Sequence, residues 1–202
     1  MESFLGEFGS KSPLEVVAVA LGIIYVILAA RQNIWCWPCA IVSTALFTWI
    51  FFRQGLYQQA VLQVFYIAMG VYGWRQWLRG GEGGAPLEVS NWPLRRHLVL
   101  VAVMCGLTGI TGWLAARYTS TTFPYLDAFT TWGSVAATLL MTRKVLECWV
   151  YWFVIDILIV VLTIGSGLPT TSVLYAVYVV MAIVGFLSWR RSQLARGAAA
   201  PG

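Results

Sequence analysis

A chain of 202 residues that is 59% hydrophobic and only 10% charged cannot cover itself with the roughly 25% charged residues of a soluble domain. Its net charge of +5 calls for no nucleic acid partner, because the Lys and Arg residues fall in the breaks between apolar runs. Composition therefore sets aside a water-soluble enzyme and points to an all-α integral membrane protein.

Seven apolar runs follow one another along the chain, at residues 14–30, 35–52, 57–77, 97–116, 125–141, 146–164 and 171–189. Each is long enough to cross about 30 Å of hydrocarbon at 1.5 Å per residue. A membrane β-barrel would instead show alternating segments of about 10 residues. The first run has no basic segment before it and follows Glu2 and Glu7, so it reads as a retained span rather than a secretory signal. Turn formers separate the runs: Arg31-Gln-Asn33, Arg53-Gln-Gly55, Gly165 to Pro169, and RGGEGGAPLEVSNWPLRR at 79–96, whose Gly80–Gly84 portion reads as a flexible linker. The fourth run carries Gly106, Gly109 and Gly112, a spacing that lets helices approach closely in lipid, and reads as a packing linker.

The basic residues are unevenly shared. Alternate breaks hold Arg31, then Arg75, Arg79, Arg95 and Arg96, then Arg143 and Lys144, then Arg190, Arg191 and Arg196, while the opposite breaks hold only Lys11, Arg53 and Arg117. The positive-inside rule makes the larger set cytoplasmic, which puts the N-terminus outside and the C-terminus inside.

A shift of 112 residues superposes the chain on itself without a gap. Arg31 falls on Arg143, Cys36 on Cys148, Trp37 on Trp149, Gly55 on Gly167, Leu56 on Leu168, Tyr66 on Tyr178, Met69 on Met181, Gly73 on Gly185, Trp77 on Trp189 and Arg79 on Arg191. Span 1 lands on span 5, so both halves cross the membrane in the same sense. They form parallel repeats joined by one inverting span, a 3+1+3 plan of the kind found in SWEET transporters. The divisions are residues 1–78 for a first three-helix bundle, 79–120 for a cytoplasmic loop and linker helix, and 121–202 for a second bundle with a cytoplasmic tail.

Polar residues inside the spans form single-faced stripes. Trp149, Trp152 and Asp156 share one face of span 6, and Gln59, Gln63, Tyr66 and Gly70 share one face of span 3. Trp37 and Thr44 are the repeat equivalents of Trp149 and Asp156, and Tyr175 and Tyr178 answer Gln63 and Tyr66. Similar aromatic frames with different polar groups suit an asymmetric aromatic ligand. Asp156 is the sharpest feature, since an unneutralised acid at mid-bilayer costs about 2.5 to 3.5 kcal/mol on insertion scales. Trp35, Trp74, Trp77 and Trp189 read as interfacial belt residues. Cys36-Trp-Pro-Cys39 opens a span beside a reducing compartment, and with His97 as the sole histidine there is no metal set, catalytic triad or phosphate-cradling loop. Neither cofactor nor metal is expected.

ALFTWIFFRQGLYQQAVLQVFYIAMGVYGWRQW, LLMTRKVLECWVYWFVID, DAFTTWGS at 127–134 and GFLSW at 185–189 together resemble the PnuC vitamin transporters, over roughly residues 14–191. The resemblance implies a SWEET-like fold, a homotrimer, and facilitated diffusion of nicotinamide riboside with trapping by a cytoplasmic kinase. It implies a ligand frame of Gln63, Tyr66, Trp149, Trp152 and Asp156, with Trp132. The match departs at Asp156, where nicotinamide riboside members carry Asn. That leaves thiamine or another aromatic vitamin or nucleoside as the alternative cargo.

Overall fold

The computed structural model describes residues 13–165 and 169–199, without the side chains of residues 58, 169, 170, 197 and 199. Lys11, Gly167 and Leu168, used above for the charge asymmetry and the repeat, lie outside the described residues. The described chain forms seven α-helices: α1 Pro13–Ala30, α2 Cys36–Arg53, α3 Tyr57–Arg79, α4 Leu94–Tyr118, α5 Pro124–Thr142, α6 Cys148–Gly165 and α7 Pro169–Ala199. Every predicted span has its helix. Five of them, α1, α2, α4, α6 and α7, are long and apolar enough to cross a membrane.

The helix ends follow from local chemistry. After α1, the N–H of Gln32 donates to the carbonyl of Ala29 and that of Asn33 to Leu28, with Gln32 in the left-handed region at φ 55°. After α5 the same pair recurs, Lys144 to Met141 and Val145 to Leu140, with Lys144 at φ 49°. Both are Schellman ends, which return otherwise orphaned carbonyls to hydrogen bonding. Gly55, at φ 74°, closes α2 in the same way, its N–H donating to Phe52 and that of Leu56 to Phe51. At the other end, Pro124 opens α5 with its φ already fixed at a helical value.

The chain divides after Glu88 into two compact units. In the first, α2 packs on both α1 and α3. Ser43 donates to the Ala18 carbonyl at 2.7 Å, stitching α2 to α1. The Trp37 ring lies on the backbone of Gly73, where an added Cβ would stand 2.3 Å from a ring carbon, and meets Trp77 edge-on with centroids 5.4 Å apart.

In the second unit α4 packs on α5, α5 on α6 and α6 on α7. Trp149 lies on Gly185, where a Cβ would stand 2.6 Å from the ring, and meets Trp189 edge-on at 5.5 Å. Ile155 of α6 fills the space over Gly133 of α5. Gly112 of α4 accepts the Tyr125 ring, whereas Gly106 and Gly109 face open space, so only one of the three linker glycines makes the close packing expected of them within the chain. The most enclosed helix is α5, and it is also rich in hydroxyls. Ser134 and Thr138 satisfy themselves on carbonyls four residues back, and Thr130 and Thr142 on carbonyls three back.

Two expected belt residues are corrected. Trp77 and Trp189 are 2% and 0% exposed, because each supplies the edge partner for a buried indole one helix away. Trp35 and Trp74 remain exposed, as a belt requires. The Gly80–Gly84 stretch, expected as a flexible linker, is turned on itself, the Gly81 N–H donating to Ala85 and that of Gly84 to Gly81, and the rest of the connection is tied down as well. The Leu87 N–H donates to the Trp77 carbonyl, and within the second unit Ser90 exchanges backbone hydrogen bonds with Lys144 and Leu146.

Candidate functional site in the second unit

The seam between α6 and α7 has three levels. At one end is the Trp149–Gly185–Trp189 contact. At the other, the hydroxyls of Thr163 and Ser172 meet at 2.8 Å. Between them lies Asp156, only 3% exposed, with its charge felt at both Tyr175 and Tyr178 of α7. The two tyrosine rings meet edge-on, 5.7 Å apart. No described residue gives Asp156 a hydrogen bond or an ion pair. A buried acid without a partner costs more than a paired one, and two phenols are the polar groups placed to share its field. Trp152, one turn away on the same helix, is half-buried rather than enclosed and adds an aromatic surface near the acid.

The other predicted residues fall in different settings. Trp149 is enclosed, with both its ring face and its edge already occupied by Gly185 and Trp189. Trp37 is its counterpart in the first unit, and the indole N–H of each has no acceptor. The Thr44 hydroxyl donates to the Ala40 and Ile41 carbonyls of its own helix. Gln63 and Tyr66 are half-buried on α3, with Tyr66 meeting Phe65 edge-on at 5.7 Å. Trp132 donates its indole N–H to Thr111 of α4 at 3.1 Å, which ties the linker helix to α5. Asp156, Tyr175, Tyr178 and Trp152 are therefore the candidates that the second unit gathers around one seam.

A second polar cluster is absent from the sequence reading. Glu147 accepts from the Asn91 amide at 2.8 Å and stands 3.8 Å from His97 Nε2. His97 Nδ1 lies 3.2 Å from the Tyr151 hydroxyl, and Gln193 of α7 donates to Asn91. His97 is thus held in a network rather than simply solvated. The one visible cue was the Asn-Trp-Pro before α4, since the partners are 54 to 102 residues away along the chain. Cys36, Cys39, Cys105 and Cys148 form no disulfide, and no group of His, Cys, Asp and Glu among the described residues could hold a metal ion.

Comparison with known proteins agrees with the membrane setting and the helical order. The chain is 28% identical to the nicotinamide riboside transporter PnuC of Escherichia coli K12, covering 93% of this chain and 89% of the relative. It is 26% identical to the riboflavin/roseoflavin transporter RibM of Streptomyces davaonensis, covering 87% and 83%. A crystal structure of the vitamin B3 transporter PnuC superposes with a TM-score of 0.71 over 94% of this chain and 88% of that one, at 22% identity, and shares the fold. The model of the nicotinamide mononucleotide transporter family matches residues 12–191, nearly the whole described chain. The chain belongs to that family, the family of the PnuC transporters.

Proposed function

We propose that the protein carries nicotinamide riboside across the bacterial inner membrane by facilitated diffusion, with a cytoplasmic kinase trapping the vitamin after entry. The observation that carries this reading is Asp156, buried without an ion pair, with Tyr175 and Tyr178 of α7 within range of its charge. Nicotinamide riboside is an aromatic cation. It would neutralise the carboxylate while its ring gained cation-π contact, worth about 0.5 to 2 kcal/mol, on Trp152. The relatives named for nicotinamide riboside support this cargo, and the carboxylate at the site favours a cation over neutral riboflavin, the cargo named for another relative. Thiamine, also an aromatic cation, is the second reading that the same carboxylate allows. Gln63 and Tyr66 of α3 are proposed to complete the frame, and the protein moves its ligand without transforming it.

The matched turns and indole contacts of the two units support a 3+1+3 parallel repeat with all seven helices spanning, bundles at 1–78 and 121–202, and a linker at 79–120. A homotrimer and an external N-terminus complete the proposal. Reporter fusions after Arg79 and after Arg196 should both read cytoplasmic, and an N-terminal fusion that also reads cytoplasmic would remove one crossing.

Purified protein in liposomes should take up nicotinamide riboside saturably, with no gradient of ions or ATP. Uptake of riboflavin or an uncharged nucleoside in preference to both aromatic cations would sink the substrate assignment.

A further inference from the structure

One end of the second unit gathers an excess of positive charge. The start of α4, the α5–α6 turn and the last turns of α7 meet there through the Ser90–Lys144 and Asn91–Gln193 hydrogen bonds. This end carries Arg95, Arg96, Arg143 and Lys144 on the first two elements and Arg190, Arg191 and Arg196 on the third.

Within it, a cleft of about 760 Å³ is lined by Trp92, Arg95, Arg96, Val99, Val103 and Arg143 among others. The guanidinium carbons of Arg96 and Arg143 each lie 5.8 Å from the centre of the Trp92 ring, so two cations from different elements converge on one indole. No described carboxylate pairs with Arg95, Arg96 or Arg143. The nearby Glu147 is already engaged by Asn91, the Trp92 backbone and His97, and it does not line the cleft. Gathered like charges without an acid favour an anion. Arginine forks suit phosphate oxygens in particular.

The opposite wall decides which anion. Val99 and Val103 lie one turn apart on α4 and are 59% and 53% exposed. A soluble phosphate would gain nothing from that wall, whereas an acyl chain descending from a headgroup would cover it. Arginines and a tryptophan above an apolar helix face are also how a protein meets the headgroup layer.

We propose that this cleft is a binding site for an anionic phospholipid. The phosphate sits between Arg95, Arg96 and Arg143, Trp92 lies at headgroup level, and one acyl chain runs along Val99 and Val103. The site is separate from the transport seam and does not depend on the identity of the cargo.

Native mass spectrometry of the full chain, incubated in detergent with phosphatidylglycerol or with phosphatidylcholine of the same acyl chains, tests it. Wild type should retain phosphatidylglycerol in preference. Arg96→Gln with Arg143→Gln should weaken retention by about fivefold for each arginine removed, and the two Lys replacements should restore much of it. Arg96→Gln alone, at an exposed position, provides the same readout should the double variant not accumulate. Equal retention of the two lipids would overturn the proposal, as would unchanged retention by a Gln variant. Displacement of the lipid by an equal concentration of inorganic phosphate would overturn the lipid assignment and give the cleft to a soluble anion.

Discussion

Positions 44 and 156 stand 112 residues apart, at the same distance into helices that begin alike, yet one is satisfied and the other is not. Thr44 spends its hydroxyl on its own helix. Asp156 has no such partner, and two phenols of α7 lie within range of its charge. Around them the halves agree closely. Each has a buried cysteine one residue before a buried tryptophan, that tryptophan lies on a glycine, and a second tryptophan meets it edge-on. Each first helix ends on a non-glycine residue in the left-handed region, a conformation that disfavours an L-residue by about 1 to 2 kcal/mol. Common packing with divergent polar groups separates the contacts that hold the helices from the positions at which the halves differ.

The largest effect should come from breaking this difference at the acid. Asp156→Leu should insert normally, because it removes the membrane cost of a carboxylate, and should abolish uptake. Asp156→Asn keeps the size and part of the hydrogen-bonding capacity. It should weaken a cationic cargo by about 1.5 to 3 kcal/mol, the value of a charge-assisted contact, and a neutral nucleoside far less. Thr44→Val should cost much less than Asp156→Leu. Calorimetric titration giving equal affinity for the cation in wild type and Asp156→Asn would show that Asp156 is not the counter-charge.

Next come the features the halves share. Gly73→Ala and Gly185→Ala each push a methyl into an indole that has no room to retreat, and overpacking of this kind costs about 1 to 3 kcal/mol. Both should lower the thermal midpoint in detergent by similar amounts. Gly109→Ala, in open space, should not. A drop for one of the pair alone would mean that the matched geometry is not matched in energy.

Much of this was legible in the sequence. Apolar runs are long and their breaks are marked, so every helix was found, although α7 runs on to Ala199 beyond its predicted end at 189. The 112-residue offset paired Trp37 with Trp149 and Gly73 with Gly185, but it carried no sign that each tryptophan lies on its glycine. What escaped was side-chain destination. A tryptophan near a span end looks the same whether it anchors to headgroups or packs inward, so Trp77 and Trp189 were misplaced. The Glu147 cluster escaped because its members are joined only by the folded turns.

Smaller effects should follow at the seat next to the acid. Ser43 and Ile155 occupy the same place in the offset and both hold the preceding helix, one by a hydrogen bond to Ala18 and the other by filling the space over Gly133. Ser43→Ala should cost about 0.5 to 1.5 kcal/mol. Ile155→Val should cost about the same. Unfolding midpoints that differ widely between the two would show that one of these contacts is not the clasp it looks to be.

The smallest effect is expected at the Cys36–Cys39 pair, and the comparison of halves explains why. Cys36 and Cys148 are both fully buried, and Cys148 packs with its sulfur 4.0 Å from that of Met141. Three residues after Cys148 the second half has Tyr151 rather than another cysteine. The half that keeps the buried thiol and its tryptophan thus manages without a second thiol, which identifies the first cysteine as a small packing residue. Cys36→Ala with Cys39→Ala should therefore cost about 1 kcal/mol or less in stability and leave uptake near wild type, and Cys148→Ala should behave like Cys36→Ala alone. Complete loss of uptake by the double variant, in protein that elutes as a single folded species at normal abundance, would restore thiol chemistry as a function of this end of α2.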